Sequence, residues 1–265
     1  MLRSRIIPCL LVHNKGLVKT TAFKDPKYVG DPINAVKIFN EKEVDELIVL
    51  DIDATVRKRG PDFGMIKNLA VECRMPFCYG GGVSTVEMAK RIISLGAEKV
   101  ALSSSAMENP SLLSQIGKAV GVQSVVVILD VKKRSLFGGY EVYIHNGTKA
   151  TGLKLSEAVK MIDTYGVGEL VINSIDRDGG MQGYDFSLID VARQLTDVPL
   201  TVLGGAGSLE DIGRLIGRYK IIGAAAGSLF VFKGKYRAVL INYPNASEKR
   251  NIVPVVTNET NYSVI

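Results

Sequence analysis

Short apolar runs and amphipathic stretches alternate along this chain from end to end. Ile6–Val12, Leu47–Asp51, Pro76–Tyr79 and Lys99–Ser103 are the runs of the first half. Those of the second half are Ser124–Asp130, Glu169–Ser174, Leu200–Leu203 and Ile221–Ala225. Each is too short for a helix, mostly apolar and bounded by Gly, Pro, Asp or Ser, so each reads as a strand. Between them, helical patterns mark Asp31–Lys42, Thr85–Leu95, Ser156–Tyr165 and Leu209–Arg218. Near-continuous apolar strands are buried on both faces, as in a parallel sheet covered by helices.

The two halves also repeat. Val44-Asp45-Glu46-Leu47 falls on Val167-Gly168-Glu169-Leu170, Ile52-Asp53 on Ile175-Asp176, and Gly81-Gly82 on Gly204-Gly205. Glu87 falls on Glu210 and Ser105 on Ser228. At a slightly shorter offset Ile7–Leu11 meets Val126–Asp130, and there the halves part. The second half ends that run in the carboxylate of Asp130, the first in Leu11. Eight strands in a twofold repeat predict an α/β fold, a (β/α)8 barrel. It would span 1–244 as a single domain, with a polar C-terminal tail over 245–265. A doubly wound open sheet is the alternative, but it would not naturally repeat as two four-unit halves.

Function in such a barrel sits at the C-terminal ends of the strands. There Gly80-Gly81-Gly82 precedes Ser84-Thr85, and Gly204-Gly205-Ala206-Gly207 precedes Ser208. Ser103-Ser104-Ser105 and Ala225-Ala226-Gly227-Ser228 close the adjacent strands. Glycine lets backbone N–H groups approach an anion, and a helix N-terminus adds partial positive charge. A tight turn with a capping serine explains any one of these loops. Two symmetric pairs predict two phosphate sites, around Gly82 with Ser104 and around Gly205 with Ser228. The ligand expected is a small molecule with a phosphate at each end. The stretch Asn173–Asp185 leaves a strand and turns on glycines, which suits Asp176 and Asp178 to ligand hydroxyls or proton transfer.

Composition narrows the classes. At 46% hydrophobic and 23% charged, the 265 residues suit a packed globular protein. A net charge of +6 is compatible with an anionic partner. The basic residues are spread out and not interleaved with aromatics, which favours a phosphorylated small molecule over nucleic acid. Cys9, Cys73 and Cys78, with only His13 and His145 beside them, form no disulfide framework and no metal spacing. Neither a metal nor a cofactor is expected. No apolar run reaches the roughly 18 residues needed to cross a bilayer, and the N-terminus lacks a signal-peptide core. The chain reads as cytoplasmic, and its sequons at Asn146, Asn245, Asn258 and Asn261 carry little weight.

Several of these motifs occur together in one known family. Arg5–Leu10, Gly30-Asp31-Pro32, Leu50-Asp51-Ile52, Gly80–Gly82, Glu108-Asn109-Pro110, Ser174–Asp185, Gly204–Gly207 and Ala225–Ser228 carry the likeness. Over roughly residues 3–240 the chain resembles HisF, the cyclase subunit of imidazole glycerol phosphate synthase, a glutamine-dependent lyase. The resemblance implies a HisH-like glutaminase that releases ammonia at the N-terminal face of the barrel, and an interior that conducts it. It implies a loop after the first strand that closes over the mouth, its lysine matching Lys19. Ligand contacts are expected from Lys19, Asp51, Gly82, Ser103, Ser104, Asn173, Asp176, Asp178, Gly179, Gly204, Gly205, Gly227 and Ser228. An ammonia gate of two basic and two acidic residues is matched by Arg5, Glu46, Lys99 and Glu169, and the internal repeat relates Glu46 to Glu169 independently. Ordinary surface salt bridges, worth about 0–1 kcal/mol each, are the plain alternative. Charges at strand starts inside a barrel need partners, which favours a ring.

The departures carry the functional argument. In the family the first strand reads Pro-Cys-Leu-Asp, and that aspartate works with the one matched by Asp130 as general acid and base. Leu11 stands there in this chain and cannot move a proton. The family's Asn-Thr after the fourth strand is Ser103-Ser104, and a sixth-strand threonine is Asn173. The Pro-Cys-Leu-Leu start and the ending Gly227–Phe232 are similar to HisF-like proteins of bacterial surface-polysaccharide pathways. In those systems the barrel and its glutaminase feed ammonia to a separate sugar amidotransferase, which makes an acetamidino group on a nucleotide-linked sugar. Three readings remain open. The first is an ammonia-channelling subunit outside histidine synthesis. The second is a working cyclase with a substitute acid such as Asp51 or Asp178. The third is a non-catalytic scaffold that binds a phosphorylated ligand or the glutaminase. Leu11 weighs against the second, and the charged ring against the third.

Overall fold

The computed structural model describes residues 3–134 and 138–253. The chain begins with β1 (Arg5–His13), a hairpin of β2 (Gly16–Thr21) and β3 (Lys24–Gly30), and α1 (Pro32–Glu41). It continues through β4 (Leu47–Asp51), α2 (Phe63–Glu72), β5 (Phe77–Gly80), α3 (Val86–Ser94), β6 (Lys99–Leu102), α4 (Ser104–Glu108) and α5 (Ser111–Val120). The second half opens with β7 (Val125–Lys133), a hairpin of β8 (Tyr140–Ile144) and β9 (Lys149–Lys154), and α6 (Leu155–Tyr165). Then come β10 (Glu169–Ser174), α7 (Phe186–Leu195), β11 (Leu200–Leu203), α8 (Leu209–Tyr219), β12 (Gly223–Ala226) and α9 (Ser228–Val231). A short pair, β13 (Phe232–Lys233) and β14 (Ala238–Val239), and α10 (Ala246–Ile252) end the described chain.

Eight of these strands pair in parallel in the order β1-β4-β5-β6-β7-β10-β11-β12, and β12 returns to β1. The sheet is a closed (β/α)8 barrel, as the apolar runs predict. Strand side chains alternate between faces, and in a closed sheet this separates two apolar layers. Ile6, Leu10, Leu47, Val49, Val127, Leu129, Leu170 and Ile172 face outward and pack with the helices. Ile7, Cys9, Ile48, Cys78, Ala101, Val126, Ile128, Val171, Leu203 and Ala225 fill the interior of the barrel. Helix starts are marked as the sequence suggests. The side chains of Asp31, Thr85 and Ser208 accept from backbone N–H groups of α1, α3 and α8.

Three strands fall on the expected residues and the other five shift by one to three at an end. The hairpins β2–β3 and β8–β9 were not expected. They follow β1 and β7, the equivalent strands of the two halves, so the repeat extends to them. At the start of the expected polar tail, Asn245 caps α10, and Lys249 Nζ lies 2.8 Å from Asp45. Tyr243 donates to the Ile6 carbonyl at 2.8 Å. The remainder of the tail, from 254, including Asn258 and Asn261, lies outside the described residues.

Candidate functional site

At the N-terminal end of the barrel, Arg5 starts β1, Glu46 immediately precedes β4, Lys99 starts β6 and Glu169 starts β10. Their side chains turn inward and close on one another. Lys99 Nζ lies 2.7 Å from both Glu46 and Glu169. Arg5 donates to Glu169 at 2.8 Å and to Glu46. Thr201, fully buried, donates its hydroxyl to Glu169. Burial alone would raise the Glu169 carboxyl, but hydrogen bonds and charge from Arg5 and Lys99 hold it below the ordinary range. The four expected gate residues therefore meet in one ring. Thr201, at a strand start like the others but uncharged, is a fifth contributor with no such signal in the sequence.

Above the ring the barrel interior is apolar and then divides. On the column Glu169–Val171–Asn173 of β10 an amide tops the lumen, and on Val126–Ile128–Asp130 of β7 a carboxylate does. Ser103, just beyond β6, completes a polar arc. Asn173 Nδ2 donates to Asp130 Oδ1 at 2.9 Å, and the Ser103 hydroxyl lies 3.4 Å from Oδ2. Burial pushes the Asp130 carboxyl up to about 7, against the hydrogen bonds from Asn173 and Ser103 and with some help from the charge of Asp178. The opposite arc is Leu11, Leu50 and Leu203. Leu11 is paired with Leu50 across β1 and β4, in the place in its half that Asp130 holds in the other.

One cavity opens over this layer. It is lined on one side by Gly81, Gly82, Ser103 and Ser104, and on the other by Gly204, Gly205, Gly227 and Ser228. Both glycine-rich sets thus share a single mouth. At Gly205 φ is +111°, and a Cβ there would run into the Gly183 carbonyl. Asp51 lines the same mouth, but its carboxylate is engaged. Arg59 reaches it at 3.0 and 3.1 Å, and it accepts from the backbone N–H groups of Asp53 and Ala54.

The β2–β3 hairpin folds over one side of the mouth. Asp178 holds it there, accepting from the Thr20 hydroxyl at 2.7 Å and from Phe23 N–H at 3.1 Å. Ala22 N–H reaches the Asp178 carbonyl. Lys19 is buried beneath the hairpin and donates to the Cys9 carbonyl at 2.6 Å. That burial lowers its pKa. The β8–β9 hairpin arrives from the other side. Asn146 at its tip donates to the Ile52 carbonyl at 2.7 Å, and a Cβ at Gly147 would lie 3.1 Å from the Phe23 ring.

Of the expected ligand residues, all but Asp176 line this mouth. Asp176 is exposed and turns away, accepting from Lys133 N–H at 2.8 Å. Thr20, Phe23, Leu50, Thr55 and Asn146 also line the mouth and were not among the expected contacts: Thr20, Phe23, Thr55 and Asn146 lie in hairpins and loops without a periodic signal, and Leu50 reads in the sequence as a strand residue. Among the described residues, no cluster of His, Cys, Asp and Glu could hold a metal ion, and no helix is long and apolar enough to cross a membrane.

Comparison with known proteins accords with this geometry. A family model described as histidine biosynthesis protein matches residues 5–237. A Vibrio vulnificus protein named "Putative imidazole glycerol phosphate synthase subunit hisF3" is 58% identical, the match covering 94% of this chain and 96% of that protein. Its Pseudomonas aeruginosa counterpart, named with the same words and hisF2, is 49% identical over 94% and 98% of the two chains. "Imidazole glycerol phosphate synthase subunit HisF" of Natranaerobius thermophilus is 38% identical over 92% and 96%. With a closed eightfold barrel and matches that run almost its full length, this chain belongs to the HisF family of histidine-biosynthesis proteins.

Proposed function

We propose that this chain is the ammonia-conducting subunit of a glutamine amidotransferase complex that serves an acceptor outside histidine synthesis. The observation that carries the reading is Leu11 at the mouth of a lumen whose base is closed by Arg5, Glu46, Lys99 and Glu169. A HisH-like glutaminase docked on the base would release ammonia against the ring. Neutral ammonia crosses the apolar layers more readily than water-bound ions do, and it would emerge beside Asp130. The glycine pairs at the mouth suit a phosphorylated ligand.

A cyclase of the family type needs protons moved on both sides of its substrate. Asp130 is suited to one side. The two candidate replacements for the missing acid are already engaged, Asp51 with Arg59 and Asp178 with the β2–β3 hairpin. The proposed acceptor is a nucleotide-linked sugar, amidated by a separate sugar amidotransferase in surface-polysaccharide (O-antigen) biosynthesis in the cytoplasm. The Pro-Cys-Leu-Leu start and the Gly227–Phe232 ending support it, as do the numbered subunit names of the Vibrio and Pseudomonas relatives.

The test is twofold. Co-purification with a HisH-like glutaminase should give a stable complex with stimulated glutamine hydrolysis, and no complex at micromolar concentration would count heavily against the reading. Ammonia-dependent cyclase activity on the histidine-pathway substrate should be negligible. Leu11→Asp should recover turnover, since a general acid or base is worth about 10²–10⁴-fold. Wild-type turnover on the order of 1 per second or faster, typical of enzymes, would return the chain to the histidine pathway.

A further inference from the structure

Beside the mouth stands a third hairpin, which the internal repeat does not contain. Strand β12 has its equivalent in β6, yet α4 follows β6 and the β13–β14 hairpin lies beyond β12. Phe232 pairs with Val239 and Lys233 with Ala238, and Arg237 N–H closes the tip on the Gly234 carbonyl. Every residue from Lys233 to Leu240 is exposed, Tyr236 at 87%. An ordered hairpin that keeps Tyr236, Val239 and Leu240 in water beside charged neighbours has the make-up of an interaction surface. It is tied to the β2–β3 hairpin. Lys27 Nζ lies 5.6 Å from the centre of the Phe232 ring, and Arg237 donates to the Gly179 carbonyl at 3.3 Å. The exposed Lys24, Lys27 and Tyr28 of β3 therefore continue the surface. Lys24, Lys27, Lys233, Lys235 and Arg237 stand in these two segments against a single carboxylate, Asp25. Among the described residues none of those cations is in an ion pair.

We propose that β3 and the β13–β14 hairpin form the docking rim for the enzyme that receives the nitrogen, a protein whose matching face is acidic. The inference rests on the ammonia-conducting reading above. The cavity takes in none of Lys233–Leu240, so the face suits a macromolecule rather than a small ligand. A second copy of this chain would set like charges against one another across a twofold axis. The glutaminase belongs to the opposite end of the barrel, at the charged ring. An acidic protein face complements the unpaired cations, which steer its approach and fix its orientation. Tyr236 supplies a large, rigid anchor with a polar tip. Gly179, which Arg237 holds, lines the mouth itself, so a protein seated here borders the opening.

The probe is the purified sugar amidotransferase of the same organism, offered to the immobilised full-length chain with and without its glutaminase. The expected result is saturable binding whose association rate falls steeply with salt. Lys233→Glu combined with Lys235→Glu should slow association about tenfold and flatten the salt dependence. Tyr236→Ala should speed dissociation about tenfold. All three side chains are exposed, and glutamine hydrolysis by the complex should stay at the wild-type rate in these variants. Lys90→Glu combined with Lys118→Glu makes the same charge change on α3 and α5, which flank β6 across the barrel from β12, and should leave binding intact. No binding by the wild type, undiminished binding in the rim variants, or an equal loss in the Lys90 and Lys118 control would overturn the proposal. So would a rim that binds single-stranded RNA more tightly than the amidotransferase, or one that drives self-association of the chain. If the amidotransferase does not bind while a glutaminase complex still forms, only this inference falls. If it binds but no glutaminase associates, it is the broader reading that falls.

Discussion

Leu11 and Asp130 occupy equivalent places on β1 and β7, yet only one of them bears charge, and that charge costs stability. The Asp130 carboxyl rises from 3.8 to about 7 because burial disfavours the ionised form more than Asn173 and Ser103 compensate. Between those values the folded chain binds more protons than the unfolded one. The contribution to stability is therefore fully present at acid pH and is lost as pH rises through about 7. Asp130→Asn removes the ionisation and retains an acceptor for Asn173. The variant should be more stable than wild type at alkaline pH, and the advantage should vanish towards pH 4. Denaturant midpoints measured across that range check this, and a gap that does not depend on pH would refute it.

At the level of elements, the ring and the hairpins are held by different means. Glu169 touches two cations and a hydroxyl, so Glu169→Gln leaves Arg5 and Lys99 under-compensated. The expected loss near neutral pH is about 2–4 kcal/mol, less than for a fully buried pair because both cations keep some contact with water. The Glu169 carboxyl is depressed, so its contribution is present above the unfolded value of 4.5 and lost as pH falls through the folded one. The variant and wild type should accordingly converge in acid, as equilibrium unfolding will show. The β2–β3 hairpin is seated by the Asp178 carboxylate and by close backbone approach at Gly179. Gly179 has φ of +64°, and a Cβ there would collide with the Thr20 carbonyl. Gly179→Val should unseat the hairpin at a strain of about 1–3 kcal/mol. Trypsin should then cut at Lys24 or Lys27 roughly tenfold faster, while the barrel still unfolds near its usual midpoint.

At the scale of the whole molecule, closure leaves no free edge in the eight-stranded sheet, so the barrel is expected to fold without the residues after 244. That segment adds the Lys249–Asp45 pair and the partly buried Ile252 and Val253. A chain truncated after Pro244 should fold with a single cooperative transition and lose about 1–3 kcal/mol. Failure to fold would mean that α10 belongs to the barrel itself rather than to an appended tail.

The sequence by itself determined the barrel and the repeat. Strands buried on both faces are apolar over most of their length, and that leaves runs such as Leu47–Asp51 readable at their true ends. The ring was legible through the resemblance to HisF, and the internal repeat independently related only Glu46 to Glu169. The hairpins were not, since Lys24–Gly30 is largely exposed and mixes Lys, Asp, Pro and Tyr without a period. Asp176 and Asp178 share one loop and one chemistry, but the 3-10 turn Ile175–Arg177 sends only Asp178 to the mouth. Thr201 joins the ring, and Asn173 keeps an unfilled carbonyl, because of which strands lie beside theirs. Local periodicity encodes which face a residue takes, whereas its partners across the lumen are set by closure of the barrel, a long-range event that no single stretch of chain records.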